Sequence, residues 1–258
     1  MKKAKLLLGL DLYPHVLKLI GLMTLMLFIS EVSMAKNNSA EVFFTGTQLT
    51  LAQAIAKGDE HEVEILSGHT DLNRPGAKDM TLLFFAMQYA FGKNAKSLDI
   101  VTGLVRAGAN PLQQVPDLGS AAEASGKSDD PVFMAALIKG GMSPNAEVDD
   151  TPIIFSTASE HSQRVMAYLV SKGADVNKKD SLGQTVLIES LSGFQLDNVI
   201  WLLQHGADPR VTTDNGWGFN NMLSKIIARQ SNVKNSEKLE LVRKLAISKG
   251  MKWPPADY

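Results

Sequence analysis

The sequence predicts an all-α fold, a solenoid of stacked helix-turn-helix units with short β-turn or hairpin tips. The first observation is a period: the tripeptide Gly-Ala-Asp at 206–208 lies 33 residues after the same tripeptide at 173–175, and a fixed period of this size is typical of repeat architectures. The second is that apolar residues recur at helical intervals before each turn, as in "RVMAYLVSKG" and "NVIWLLQHG". The third is that a threonine opens the segment after several turns, as in "TLLFF", "TPIIF" and "TVLIE".

Each predicted unit consists of a helix, a tight connection, a second helix and a turn. The second helix ends at a glycine, which adopts a left-handed C-cap without strain, and the threonine after the turn can cap the next helix. The turns recur close to every 33 residues, with early spacings of 37 and 35 that insertions lengthen. They are marked by Asn73, Asn110, Asn145, Asn177 and the pair Asp208-Pro209.

About six layers fit the sequence, because one helix pair cannot bury its apolar face and neighbouring pairs must stack. The terminal layers are expected to be atypical. The first layer keeps a Gly58-Asp59 link between its helices. The last is expected to be a longer capping unit, in which "GFNNMLSKIIARQ" and "KLELVRKLAISKGMKWPPADY" are separated by a polar linker, "SNVKNS".

The first 35 residues predict a secretory signal peptide. Lysines precede an unbroken apolar run from Leu19 to Ile29, and this run is shorter than the roughly 30 Å of a bilayer core. Ser33 and Ala35 place small residues at the two positions that a signal peptidase reads, so we predict cleavage after Ala35. The mature chain, residues 36–258, is then expected to be one periplasmic repeat domain without stable membrane insertion. The alternative is an uncleaved membrane anchor.

Charge and cysteine content exclude several classes of function. The 26 basic and 27 acidic side chains nearly balance, so nothing in the overall charge favours nucleic acid as a partner. The chain has no cysteine, which excludes disulfides, thiolate metal sites and cysteine nucleophiles. An exported protein of this kind depends on its core alone.

The repeat resembles the ankyrin repeat, whose consensus pairs a Thr-Pro-Leu-His helix start with a Gly-Ala-Asp-x-Asn turn. The segment 151–153 together with 173–177 matches it most closely, and the resemblance extends from about Leu49 to the C-terminus. The usual histidine is replaced by Phe84, Ile154 and Ile188 in three units. These layers are therefore expected to depend more on apolar packing than on the hydrogen bonds of that histidine.

No motif predicts catalysis, a cofactor or a metal site. Gly126-Lys127-Ser128 resembles the end of a phosphate-binding loop, but position 121 is alanine where that loop needs glycine. There is no Gly-x-Ser-x-Gly nucleophile elbow. The five histidines include no pair spaced i, i+4 around a glutamate. We expect neither enzyme activity nor a cofactor.

Acidic side chains at the turns are the first candidates for partner binding. Asp149, Asp150, Asp180 and Asp214 fall at turns between layers and could form an acidic edge. The alternative is that aspartate is simply a good turn residue, because its side chain bonds to nearby backbone. Catalysis by a carboxylate pair would need a closed cleft that raises a pKa, and turn tips do not provide one.

Large side chains on the predicted concave surface are the second set of candidates. Phe85, Phe155 and Glu189 align with one another on the first helices of their layers, and Trp217 lies in a polar tip. Exposed aromatic residues are frequent anchors of protein interfaces. Ordinary core packing is the alternative for Phe85 and Phe155.

An extended repeat surface predicts a protein-binding module rather than an enzyme. Long stretches, among them "DLNRPGAKDMTLLFFAMQYA" and the ending "KGMKWPP", resemble exported bacterial ankyrin proteins encoded beside lipase or phospholipase effectors of the type VI secretion system. That resemblance implies a periplasmic immunity protein that binds and blocks its cognate toxin. The alternatives are a general periplasmic scaffold or stress-protection factor that binds an endogenous enzyme, and an enzyme hidden in the irregular third layer.

Overall fold

The computed structural model of the protein describes residues 39–91, 95–213, 215–229 and 233–255. The predicted signal peptide with its cleavage after Ala35, and the alternative of a membrane anchor, lie outside the described residues, as does the turn acid Asp214. In these ranges no helix combines the length and the apolar character needed to cross a membrane.

The described chain is built almost entirely from short helices, and its strands, of two residues each, pair in hairpins. The α-helices are α1 (Ala40–Phe43), α2 (Gly46–Lys57), α3 (Glu60–Ser67), α4 (Leu82–Ala90), α5 (Ala95–Arg106), α6 (Ala121–Gly126), α7 (Val132–Gly140), α8 (Gln163–Ser171), α9 (Val186–Ser192), α10 (Leu196–Gln204), α11 (Phe219–Arg229) and α12 (Val233–Ser248). Two 3-10 helices cover Ala77–Asp79 and Ile153–Thr157. The antiparallel hairpins are β1 (Gln114–Val115) with β2 (Gly119–Ser120), and β3 (Glu147–Val148) with β4 (Thr151–Pro152).

The helices stack in six layers, which confirms the predicted solenoid. The first helices of the layers pack in one row, in the order α2, α4, α6, the 3-10 helix at 153–157, α9 and α11. The second helices, among them α3, α5, α7 and α8, pack in another row behind them. Because every layer runs up one helix and down the next, the turns between layers lie along one edge, here the hairpin edge. The connections within layers lie along the opposite edge, here the connection edge.

The helix starts differ from layer to layer. Thr81 caps α4 as expected, since its side chain accepts a hydrogen bond from the backbone N–H of Phe84 at 3.1 Å. Thr185 makes no such bond at the start of α9, and its Oγ1 is buried without a partner. Thr151 belongs to strand β4 instead of capping a helix, and the segment after it forms the 3-10 helix at 153–157. The prediction of a threonine-capped α-helix is therefore wrong in the fourth layer.

The C-terminal layer corrects the predicted polar linker. Helix α12 begins at Val233, so residues 233–236 of "SNVKNS" belong to its first turn rather than to the linker. Arg243 on this helix lies 5.7 Å from the ring centre of Trp253, which holds the end of the described chain against it.

Apolar side chains fill the positions where the repeat consensus has histidine. Phe84, Ile154 and Ile188 are all buried and belong to one continuous core. Burial of large apolar side chains stabilises the stack by about 1.5–3 kcal/mol each. The expectation that these layers depend on apolar packing is confirmed.

An asparagine ladder joins successive turns along the hairpin edge. In three layers the asparagine side chain donates to a glycine carbonyl of the next turn and accepts from the backbone N–H two residues beyond it. These sets are Asn73 with Gly108 and Asn110, Asn145 with Gly173 and Asp175, and Asn177 with Gly206 and Asp208. Asn110 instead accepts from Leu112 in its own turn, so its side chain belongs to one layer.

Replacing a ladder asparagine tests its role between layers. Asn145→Ala removes two hydrogen bonds of 2.8 Å to the next turn, and we expect it to lower the free energy of unfolding by about 1–2 kcal/mol. Asn110→Ala is the matched control, with an expected change within about 0.5 kcal/mol. Urea unfolding followed by circular dichroism measures both. Equal losses would show that the ladder does not couple the layers.

Candidate functional site

The predicted acidic residues lie on the hairpin edge, but their environments differ. Asp149 and Asp150 form the two-residue tip between β3 and β4, with φ of +49° and +59°, and both are exposed. Asp180 is half-buried, and its Oδ1 accepts hydrogen bonds from the backbone N–H groups of Leu182 at 2.9 Å and Gln184 at 2.8 Å. The turn-residue explanation therefore accounts for Asp180, whereas the first two carboxylates face solvent.

Trp217 lies in the turn of the fifth layer and is half-buried. Lys225 Nζ lies 4.3 Å from its ring centre, within the range of a cation-π contact. The backbone carbonyl of Trp217 accepts from both the backbone N–H and the hydroxyl of Thr213. The tryptophan is thus held by its own turn and by α11 of the sixth layer, and part of the residue remains accessible.

The three residues predicted to align on the first helices do not form one surface. Phe85 has 0% exposure and packs edge-on against Phe44, with ring centres 5.4 Å apart. Its proposed role as an exposed anchor is therefore wrong, because helix α1 covers this side of α4, and the core-packing alternative is confirmed. Phe155 is half-buried on the 3-10 helix, and Glu189 is exposed on α9.

A groove that the sequence did not indicate lies between the first helices of the second and third layers. One wall is formed by three residues of α4 and the residue that follows its end, spaced i, i+3, i+4 and i+7. The other wall is formed by α6, the connection after it and the start of α7. The groove measures about 420 Å³ and is lined by Phe84, Met87, Gln88, Phe91, Ala124, Ser125, Ser128 and Phe133. Its lining is mainly apolar and carries no ionisable side chain.

Phe91 makes this groove unusual, because 79% of the residue is exposed at its rim. Gln88 lines the same groove, and its Oε1 is buried without a hydrogen-bond partner in the described part of the protein; a buried oxygen that finds no partner costs about 1–3 kcal/mol. Such a site can take an apolar side chain, and a partner N–H could satisfy the amide oxygen if Gln88 rotates. Exposed aromatic residues beside an apolar recess are typical of protein interfaces.

None of the partner-binding residues predicted from the sequence lines this groove. Phe91, Phe133 and Phe194 lie in or next to connections within layers, on the connection edge. The sequence does show this difference, because these layers carry an aromatic residue in or next to the connection where the first layer has Gly58-Asp59. Residues of the hairpin edge recur from layer to layer, whereas these three aromatic residues do not.

Two carboxylates near the hairpin edge have a structural role. Arg210 donates to both oxygens of Asp208 at 2.9 Å and holds the pKa of that carboxyl below its usual value. Burial tends to raise the pKa of Glu123, but hydrogen bonds from Ser120 and Gln114 outweigh it and lower that pKa. The Ser120–Glu123 capping box fastens the β1–β2 hairpin to α6.

The structure offers no support for a catalytic or metal site in the residues that it describes. Among them, no group of three or more His, Asp or Glu side chains could hold a metal ion. Gly126 of the loop-like tripeptide is buried, and a Cβ there would overlap Ser156 Oγ. A phosphate therefore has no access to this backbone.

Comparisons with known proteins agree on the fold. No protein-family model matches the sequence, and no curated protein matches it either. The ankyrin repeat domain of Bcl-3, a unique member of the IkappaB protein family, superimposes with a TM-score of 0.59 at 23% identity, covering 78% of this chain and 86% of that one. An ankyrin repeat domain from Acinetobacter baumannii AYE superimposes with a TM-score of 0.57 at 19% identity, covering 79% of this chain and 98% of that one. A further ankyrin repeat protein superimposes with a TM-score of 0.55 at 16% identity, covering 75% of this chain and 96% of that one. The stacked layers, the turn chemistry and these neighbours together establish that the chain has the ankyrin-repeat fold.

Proposed function

We propose that this chain is a periplasmic immunity protein, which binds a cognate lipase or phospholipase effector of the type VI secretion system and blocks it. The observation that carries protein binding is the apolar groove rimmed by Phe91, because it leaves a large aromatic side chain in water next to an unfilled apolar recess. The toxin class rests on the sequence resemblance stated above. The proposal includes export by the N-terminal signal peptide and no cofactor.

The mechanism is occlusion. The face formed by the first helices and the loops would cover the effector's active-site entrance or its membrane-docking surface. A stable interface of this kind buries roughly 1,600 Å² in total, and six layers supply a surface of that extent. A lipase entrance is itself apolar, so it matches a groove lined by aromatic and aliphatic side chains.

The proposal is tested by co-expression and by direct binding. We expect the mature chain from Lys36 to bind the lipase-like product of the neighbouring gene in a 1:1 complex, and co-expression in the periplasm to abolish that product's toxicity. Isothermal titration calorimetry with the purified pair measures the affinity. If the toxin remains lethal and the mature chain captures only endogenous enzymes from periplasmic extract, the general scaffold replaces the immunity protein.

The acidic edge is tested with two substitutions that preserve the turn. Asp149→Asn with Asp150→Asn removes two charges, and asparagine tolerates the left-handed φ of both positions. We expect about a tenfold loss of effector affinity at low salt, with a smaller loss at high salt. Glu62→Gln with Glu64→Gln, on the exposed face of α3, removes the same charge elsewhere. Unchanged affinity in the first pair would exclude the acidic edge from the interface.

A further inference from the structure

One residue differs from all the others at the helix ends of this chain that share a left-handed turn. Seven helix ends in the described ranges share one turn, in which the N–H after the left-handed residue bonds to the carbonyl five residues before it. This is the Schellman motif, whose left-handed position favours glycine. Six of the seven positions are glycine: Gly58, Gly108, Gly141, Gly173, Gly206 and Gly250. The seventh is Phe194, with φ of +57°.

The backbone around Phe194 makes both hydrogen bonds of the Schellman motif. Its N–H donates to the carbonyl of Leu191 at 3.0 Å, and the N–H of Gln195 donates to that of Ser190 at 2.8 Å. The matching pair at Gly58 runs from Gly58 and Asp59 back to the last turn of α2. A bulky side chain is disfavoured in this conformation because its Cβ crowds the following carbonyl.

Packing covers only part of this strained residue. Phe194 keeps 37% exposure, so a substantial part of its ring lies in water. The residue before it is a glycine, Gly193, but its φ of −75° is one that any residue adopts. The glycine therefore does not occupy the left-handed position that favours it. Strained residues of this kind concentrate at functional positions.

The surroundings of Phe194 indicate the chemistry of what it contacts. It borders a polar cleft of about 380 Å³ whose ionisable lining residues are Glu160, Asp197 and Lys238. Lys238 Nζ binds both carboxylate oxygens of Asp197, at 2.6 and 2.7 Å, so among the side chains that the structure describes here Glu160 leaves a net negative charge. An anionic lipid surface would be repelled here, whereas basic side chains would be attracted.

We propose that Phe194 is a partner-contacting residue, which enters an apolar recess bordered by basic side chains on a protein partner. The contact extends the partner's footprint along the connection edge, from the groove at Phe91 in the second layer to the fifth layer. It rests on the proposed function only in requiring a protein partner.

The test separates binding from folding with two variants of the mature chain. Phe194→Gly removes the ring and relieves the strain, so we expect a higher urea midpoint together with at least a tenfold weaker effector affinity. Phe194→Ala removes the ring and keeps the strained conformation, so we expect the same loss of affinity without the gain in stability. The probe is the purified lipase-like product of the neighbouring gene, titrated by calorimetry.

Every outcome decides for or against the contact. Wild-type affinity in both variants overturns it, as does a lower urea midpoint for Phe194→Gly, because the ring then serves packing. Binding to phosphatidylglycerol vesicles that both variants lose would overturn it in favour of a lipid surface.

If the effector does not bind the wild-type chain, the proposed function fails and a photo-crosslinking residue at position 194 decides. It is introduced into the full chain in the source cell. A crosslinked protein that, once purified, binds the wild type at least tenfold more tightly than Phe194→Gly supports the contact. No protein crosslink overturns it.

Discussion

Gly140→Ala is expected to lower the free energy of unfolding by about 2–3 kcal/mol, the largest single effect on stability predicted for this chain. Gly140 is buried at the end of α7, where α7 packs on α5. A Cβ there would lie 2.6 Å from Val105 Cβ and 2.9 Å from the carbonyl oxygen of Thr102. The carbonyl belongs to the backbone of α5 and cannot rotate away, so the two layers must separate.

Gly103→Ala is the matched control for this prediction, and the opposite sign is expected. Gly103 lies inside α5, and a Cβ there meets nothing within 4 Å. Alanine is favoured over glycine in a helix interior by about 0.5–1 kcal/mol, so stability should rise. Urea unfolding of both variants measures the difference. A harmless Gly140→Ala would mean that α5 and α7 can shift apart at little cost.

Phe91→Ser is expected to weaken binding of the effector by about thirtyfold or more, the largest effect on affinity. Truncation of a central aromatic anchor costs about 2 kcal/mol or more in protein interfaces. Because 79% of Phe91 is exposed in the free chain, its removal should change the free energy of unfolding by less than about 0.5 kcal/mol. Calorimetric titration and urea unfolding give the two quantities on the same samples.

The control for Phe91 is another exposed apolar residue on a different face. Ile65 on α3 has 48% exposure in the row of second helices, and Ile65→Ser should leave effector affinity unchanged. If both variants bind like the wild type, the groove is not the binding surface. If both weaken binding equally, the loss reflects general hydrophobicity rather than the groove.

Much of the fold was predictable because its signals are local and repeated. The glycines that end the second helices at 108, 141, 173 and 206 each adopt the left-handed turn that the sequence indicated. The fourth layer was less predictable. Its "TPIIF" segment matches the consensus for a helix start, but Thr151 and Pro152 pair in a hairpin with 147–148, and only a 3-10 helix follows. This pairing depends on residues 147–150, which lie outside the five-residue segment, so the segment itself does not encode it.

The candidate binding residues were less predictable than the fold, because the same residue types serve both packing and binding. Phe84 and Phe85 lie on α4 and Phe91 directly follows its end, yet their exposures are 8%, 0% and 79%. Which of them remains in water depends on α1, which covers Phe85, and on the position of the neighbouring layer. Those packing partners come from distant parts of the sequence.

The sequence by itself determined the layered architecture, since a helix pair with an apolar face, a glycine stop and a polar turn must stack on its neighbours to bury that face. It also indicated the turn acid Asp180, whose side chain accepts hydrogen bonds from nearby backbone N–H groups. Only the tertiary structure decided which side chains are exposed, strained or left without a hydrogen-bond partner. The exposure of Phe91, the unpaired oxygen of Gln88 and the strained backbone of Phe194 each depend on how several elements pack around one residue, and a linear pattern carries no record of that packing.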